Sequence, residues 1–125
     1  VSKEVKVFTV EDHVAKLAPE KHELYEMLHE RLLSLGNVKE VPKKLYVAYK
    51  ANKNFADLIF YKNEIRITLN LKSGELNDPK AITTDFTKPQ KGHWGNGDYE
   101  VIVRNISEIP YAMILIEQAY SKAKN

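Results

Sequence analysis

The stretch EIRITLNLK, residues 64–72, alternates strictly: Ile65, Ile67, Leu69 and Leu71 are apolar, and Arg66, Thr68, Asn70 and Lys72 fall between them. A period of two is that of a strand whose successive side chains point to opposite faces, so the stretch predicts a sheet with one buried and one polar face. Upstream, NFADLIFY (residues 54–61) is a second run, and Lys62-Asn63 between the two reads as a short hairpin turn. Further upstream, KKLYVAYK places Leu45, Val47 and Tyr49 on one face and Lys44, Tyr46, Ala48 and Lys50 on the other. Pro42 limits residues 38–41 to an edge strand at most, because proline has no N–H for a ladder. Downstream, DYEVIVRN aligns Tyr99, Val101 and Val103.

The period changes to that of helices at both ends. Thr9 is a capping residue, with Glu11 and Asp12 where a helix N-terminus favours negative charge. Pro19 suits the first turn of a second helix, along which Leu24, Leu28, Leu32 and Leu35 form one stripe before the left-handed stop Gly36-Asn37. Asn105 or Ser107 caps a last helix, with Pro110 in its first turn and Ile109, Met113, Ile116 and Tyr120 along its buried side. Grouped helices and strands predict an α+β domain: two N-terminal helices, an antiparallel sheet of about four or five strands, and a C-terminal helix packed on one face. The other face, with the long loop over residues 73–97, is then the place for function.

Composition narrows the classes. At 125 residues the chain is a single domain, 1–125, and its net charge of +2, from 19 basic and 17 acidic side chains, is too small to argue nucleic-acid binding from charge alone. Cysteine is absent, which excludes disulfides and thiolate chemistry and fits a cytoplasmic protein. No apolar run reaches the ~18 residues of a membrane span. The chain begins with Val1 rather than methionine, as expected of a C-terminal module of a longer protein.

Few motifs carry chemistry. His22, Glu26 and His29 share a helix side, but the histidines are two turns apart, where a zinc-binding pair needs one turn; the expectation is a solvated face and no metal. Asp78-Pro79-Lys80 has the letters of a restriction-nuclease motif without a strand leading into it, and Glu64-Ile65-Arg66 has arginine where lysine is required. There is no P-loop, dinucleotide fingerprint or serine elbow, and no cofactor is expected.

Two surfaces stand out. Lys44, Tyr46 and Lys50 flank an aromatic with ammonium groups, a pattern that stacks a flat ring and meets phosphate. Asn70 is a poor strand former in a strand, suited to holding a neighbouring loop or facing a ligand. GHWGNGDYE (residues 92–100) clusters His93, Trp94, Asn96 and Asp98 among glycines, offering a proton-transfer group, a stacking face and an acid to orient them.

The texts KLYVAYK…NF, LNLKSGELNDPK, GHWGNGDYEV and LIEQAY, covering nearly the whole chain, resemble a domain family of unknown function. That family is similar to the C-terminal module of proteins labelled "predicted transport protein", with modules also beside restriction-type nuclease and other DNA-associated domains. The resemblance implies a soluble accessory module and brings no active-site residues with it. The expected function is binding of nucleic acid or a nucleotide-like ligand through Lys44, Tyr46, Lys50, Asn70, His93, Trp94, Asn96 and Asp98. Two alternatives stand beside it. One is a small hydrolase using His93 and Asp98, or an acidic cluster with Asp78 and Asp85; the other is a module that docks a nuclease partner.

Overall fold

A computed structural model describes residues 8–90, 92 and 96–124. Helix α1 (Val10–Val14) opens with a reciprocal cap: Asp12 N donates to Thr9 Oγ1 and Thr9 N donates to Asp12 Oδ2, each at 3.2 Å. A 3₁₀ turn at Pro19–Lys21 leads into α2 (His22–Leu33), which buries Leu24, Leu28 and Leu32. Gly36 and Asn37 follow with φ of 98° and 54°. There the hydroxyl of Tyr120, from the last helix, lies 2.8 Å from the Leu35 carbonyl oxygen and 2.7 Å from that of Gly36.

Among the described residues six strands form one antiparallel sheet: β1 (Lys39–Pro42), β2 (Val47–Lys50), β3 (Asn54–Phe60), β4 (Ile65–Leu69), β5 (Thr84–Asp85) and β6 (Tyr99–Val103), in the order β1-β2-β3-β4-β6-β5. The count exceeds the four or five expected because the long loop contributes the two-residue β5. Proline-containing β1 lies at the edge. Helix α3 (Ile109–Ala123) follows a capped turn at Ile106–Glu108.

Register assigns the faces. Val47, Leu58, Ile67 and Val101 lie opposite one another across β2, β3, β4 and β6, as do Tyr49, Ala56, Leu69 and Tyr99. These rows join Leu28, Leu32, Leu115 and Ile116 in the core. The second face carries the row Ala48, Asp57, Thr68 and Glu100. Its centre is not open to solvent: Asp57 and Thr68 are 0% exposed and Ala48 1%.

The β2 strand is shorter than its alternation suggests. Lys43 N donates to Tyr46 O at 2.8 Å and Pro42 pairs with Val47, so Lys44 and Leu45 form the tip of a two-residue hairpin loop. Leu45 is 39% exposed rather than facing the core with Val47 and Tyr49. Lys44 therefore does not share a strand face with Ala48 and Lys50. No glycine, asparagine or aspartate marks this turn, which is why the sequence reads as continuous strand.

Candidate functional site

Strand β3 is a run of buried residues with one acid inside it. Asp57 is placed by alternation on the face away from the helices, and a carboxylate there must be satisfied by hydrogen bonds. Asn54 Nδ2 donates to its Oδ1 at 2.7 Å, while the backbone N and side-chain Nδ2 of Asn96 donate to its Oδ2 at 2.7 and 3.0 Å. Burial raises the Asp57 carboxyl above the usual range, against the opposing pull of these bonds and of the Lys50 charge. Asn54 in turn accepts from Asn70 Nδ2 at its backbone oxygen, 2.9 Å away, and its Oδ1 is buried without a partner.

Lys50, Asn70 and Asn96 thus converge on one polar centre. Asn70 lies just beyond β4, where it ties that strand's end to the start of β3; Asn70 N also donates to Phe55 O at 3.0 Å. Asn96 brings in the glycine-rich loop. Beside it Gly97, at φ 108°, passes so close to β4 that a Cβ would fall 2.0 Å from Leu69 O. Asp98 N donates to Leu71 O at 2.9 Å, and its Oδ2 accepts from Ser73 N at 2.9 Å. His93 and Trp94 lie outside the described residues.

Lys44 and Tyr46 are elsewhere. Tyr46 is half-buried beside the hairpin tip. Lys44 lines a groove of about 340 Å³ with Lys16, His13 and Phe8. His13 is buried there and its Nε2 lies 2.6 Å from Lys43 O. Asp78 and Asp85 are each occupied by their own set of donors. Asp78 accepts from Thr83 N, Thr83 Oγ1 and the Tyr111 hydroxyl. Asp85 accepts from Ser73 Oγ and Thr87, bonds that hold its carboxyl below the usual range.

Sequence reasoning missed three groups. Asp57 and Asn54 were legible only as an acid and an amide at the start of an apolar strand. Lys39 was hidden in the segment before Pro42: it lies directly opposite Lys50 on β1, on the face of Asp57. The third corrects the solvated-helix expectation for His29. Its Nδ1 lies 2.7 Å from Glu40 Oε2, which also accepts from the hydroxyls of Tyr25, at 2.9 Å, and Tyr49. Burial, and then the bond to Glu40, push both phenols well above their ordinary range. His22 Nε2 is instead within 3.1 Å of Leu17 O. Among the described residues no group of three or more histidine, aspartate or glutamate side chains is arranged to hold a metal, and no helix is long and apolar enough to cross a membrane.

A family described as a domain of unknown function (DUF5655) matches residues 10–123. An uncharacterized protein of Haemophilus influenzae (strain ATCC 51907 / DSM 11121 / KW20 / Rd) is 38% identical over 120 residues, covering 95% of this chain and 39% of the relative. The chain therefore spans well under half the length of that relative. No solved structure matches.

Proposed function

The chain belongs to the DUF5655 family of domains of unknown function, and we propose that it is a binding module for nucleic acid or a nucleotide-like ligand, engaged on the sheet-and-loop surface around Lys39, Lys50 and Asn96. The observation that carries this reading is the lysine pair. Lys39 and Lys50 are direct cross-strand partners, and like charges facing each other on adjacent strands are destabilising. Among the described residues no carboxylate forms a salt bridge with either. A phosphate bridging the two ammonium groups relieves that repulsion, and lysine is suited to a phosphate oxygen as a point charge.

The loop adds preorganisation. Asn96 and Asp98 are held against Asp57 and Ser73, so a ligand contacting these two residues costs little ordering entropy there. The partner this reading anticipates is a nuclease or other nucleic-acid-acting domain in the remaining length of a longer polypeptide.

Fluorescence anisotropy with short labelled single-stranded DNA and RNA tests it. Affinity is expected to fall steeply as salt rises, because each neutralised phosphate releases counterions. Lys39→Glu and Lys50→Glu are each expected to weaken it. Binding that is absent, or insensitive to salt, overturns the proposal.

A further inference from the structure

The tip of the β1–β2 hairpin packs on α1 through His13, which is 3% exposed. The imidazole ring lies 6.2 Å, centroid to centroid, from that of Phe60, and its Nε2 is 2.6 Å from Lys43 O. A carbonyl oxygen only accepts, so Nε2 carries the proton and the neutral ring keeps a lone pair on Nδ1. Packing and the Lys43 bond account for the ring and for Nε2. Neither uses Nδ1, which makes no hydrogen bond to a described residue. Among the described residues the sealed side-chain nitrogen or oxygen without a partner is Asn54 Oδ1. Nδ1 of His13 is therefore open, and the opening that His13 lines is the groove of about 340 Å³.

The other walls of that groove decide what fits there. Lys16, just beyond α1, and Lys44, at the hairpin tip, both line it. Among the described residues no carboxylate forms a salt bridge with either. Phe8 and Leu45 supply apolar surface, Leu45 with 39% of its own exposed. Asp12 is the opposing charge, and its Oδ2 accepts from Thr9 N; the two ammonium groups outweigh it. The groove thus brings two cations, one acceptor on a buried ring and an apolar wall together, in a volume at the small end of those that hold small molecules.

We propose that this groove binds a small hydroxycarboxylate with an apolar body. The carboxylate meets the Lys16 and Lys44 ammonium groups, the hydroxyl donates to His13 Nδ1, and the body covers Phe8 and Leu45. Lysine suits the first task because its point charge sits on a flexible stem that follows the anion. Nδ1 supplies the selectivity, since a ligand without the hydroxyl leaves that acceptor unpaired in a closed groove. Lys39 and Lys50 pair at the other end of the hairpin, so this site and the oligonucleotide surface stand or fall separately.

Titration of the whole chain with phenyllactate, followed by nitrogen–proton NMR with long-range spectra of the histidine rings, tests the proposal. Shift changes are expected to saturate with a Kd on the order of a millimolar and to include the His13 Nδ1 resonance. Hydrocinnamate, the same molecule without the hydroxyl, is expected to bind about fivefold more weakly and to leave that resonance in place. Lys44→Ala, a change at an exposed tip, is expected to weaken both ligands about threefold. Lys39→Glu and Lys50→Glu are expected to leave phenyllactate binding unchanged. The proposal is overturned if phenyllactate shows no saturation by about 10 mM, if hydrocinnamate binds as tightly, if the Nδ1 resonance does not respond to phenyllactate, if Lys44→Ala binds like wild type, or if either glutamate variant loses the ligand.

Discussion

A single oxygen of Asp57, Oδ2, accepts both the backbone amide of Asn96, at 2.7 Å, and its side-chain amide, at 3.0 Å. Through this pair an acid in the middle of a buried strand becomes the anchor of the glycine-rich loop, 39 residues away in sequence.

That anchor has a definite pH signature. Burial raises the Asp57 carboxyl above its ordinary value, so the folded protein holds a proton there more tightly than the unfolded chain does. The unfavourable contribution of the charge is full at neutral pH and shrinks as pH falls through the raised value. In D57N the new amide donates to Asn54 once the Asn54 side chain flips its unpartnered Oδ1 inward. D57N is therefore expected to unfold in urea at no lower concentration than wild type at neutral pH, with any advantage closing on acidification. D57A, which strands the Asn96 and Asn54 donors, is expected to cost about 3 kcal/mol. Denaturation midpoints across a pH series measure both.

Gly97 tolerates no side chain. A Cβ there would meet Leu69 O at 2.0 Å and Asn70 Cα at 2.5 Å, on a backbone with φ of 108°. Gly97→Ala is expected to push the loop off β4 and to destabilise by at least about 2 kcal/mol, combining left-handed strain with overpacking. Hydrogen exchange is expected to show lost protection at the Asp98 amide, which bonds to Leu71 O; a variant with wild-type protection there would contradict this account.

The Glu40 cluster couples α2 to the sheet edge. The Tyr49 side chain belongs to a residue 0% exposed, and its hydroxyl depends on Glu40. Glu40→Ala removes the carboxylate acceptor of that buried hydroxyl and leaves it only the longer approach to His29 Nδ1, at 3.3 Å, at an expected cost of about 2 kcal/mol. Tyr49→Phe in the same background is expected to recover part of the loss. A double-mutant cycle should return a coupling of about 1 kcal/mol between the two positions, and additive losses would refute the dependence.

At the opposite end of the sheet, Glu64 accepts Arg66 Nε at 2.5 Å and Arg104 Nε at 3.2 Å. The Arg66 hydrogen bond is the largest influence holding the Glu64 carboxyl below its usual range. A depressed folded value means stability present above the unfolded pKa and lost as pH falls through the folded one. Since the arginine side chains are 38% and 54% exposed, Glu64→Gln is expected to cost less than about 1 kcal/mol at neutral pH and nothing in strong acid. Thermal melts in low and high salt check it, the difference shrinking as salt screens the pair.

The helices and the alternating strands were legible because each is fixed by local chemistry: the Thr9 cap, the leucine stripe of α2, the Gly36-Asn37 stop and the strict alternation around Ile67. The tip at Lys44-Leu45 was not, since the chain turns there without a turn residue. The site was legible in pieces. Lys50, Asn70 and Asn96 meet, but the residue they meet around, Asp57, is joined to Asn96 only through the fold. Lys39 and Glu40 were overlooked for one reason. A four-residue edge strand ending in proline carries little periodic signal, although its register against β2 decides which lysine and which tyrosine it faces. The expectation of a free second face failed at its centre, where Asp57 and Thr68 are buried.

The Tyr120 hydroxyl lies at the Leu35 and Gly36 carbonyls from 85 and 84 residues downstream. Helix α2 is thus finished by a group from the far end of the domain, and β6, which must insert between β4 and β5, also comes late. A ribosome-bound nascent chain ending before Tyr120 lacks that closure, so vectorial synthesis delays the final locking of α2 until α3 has emerged from the exit tunnel.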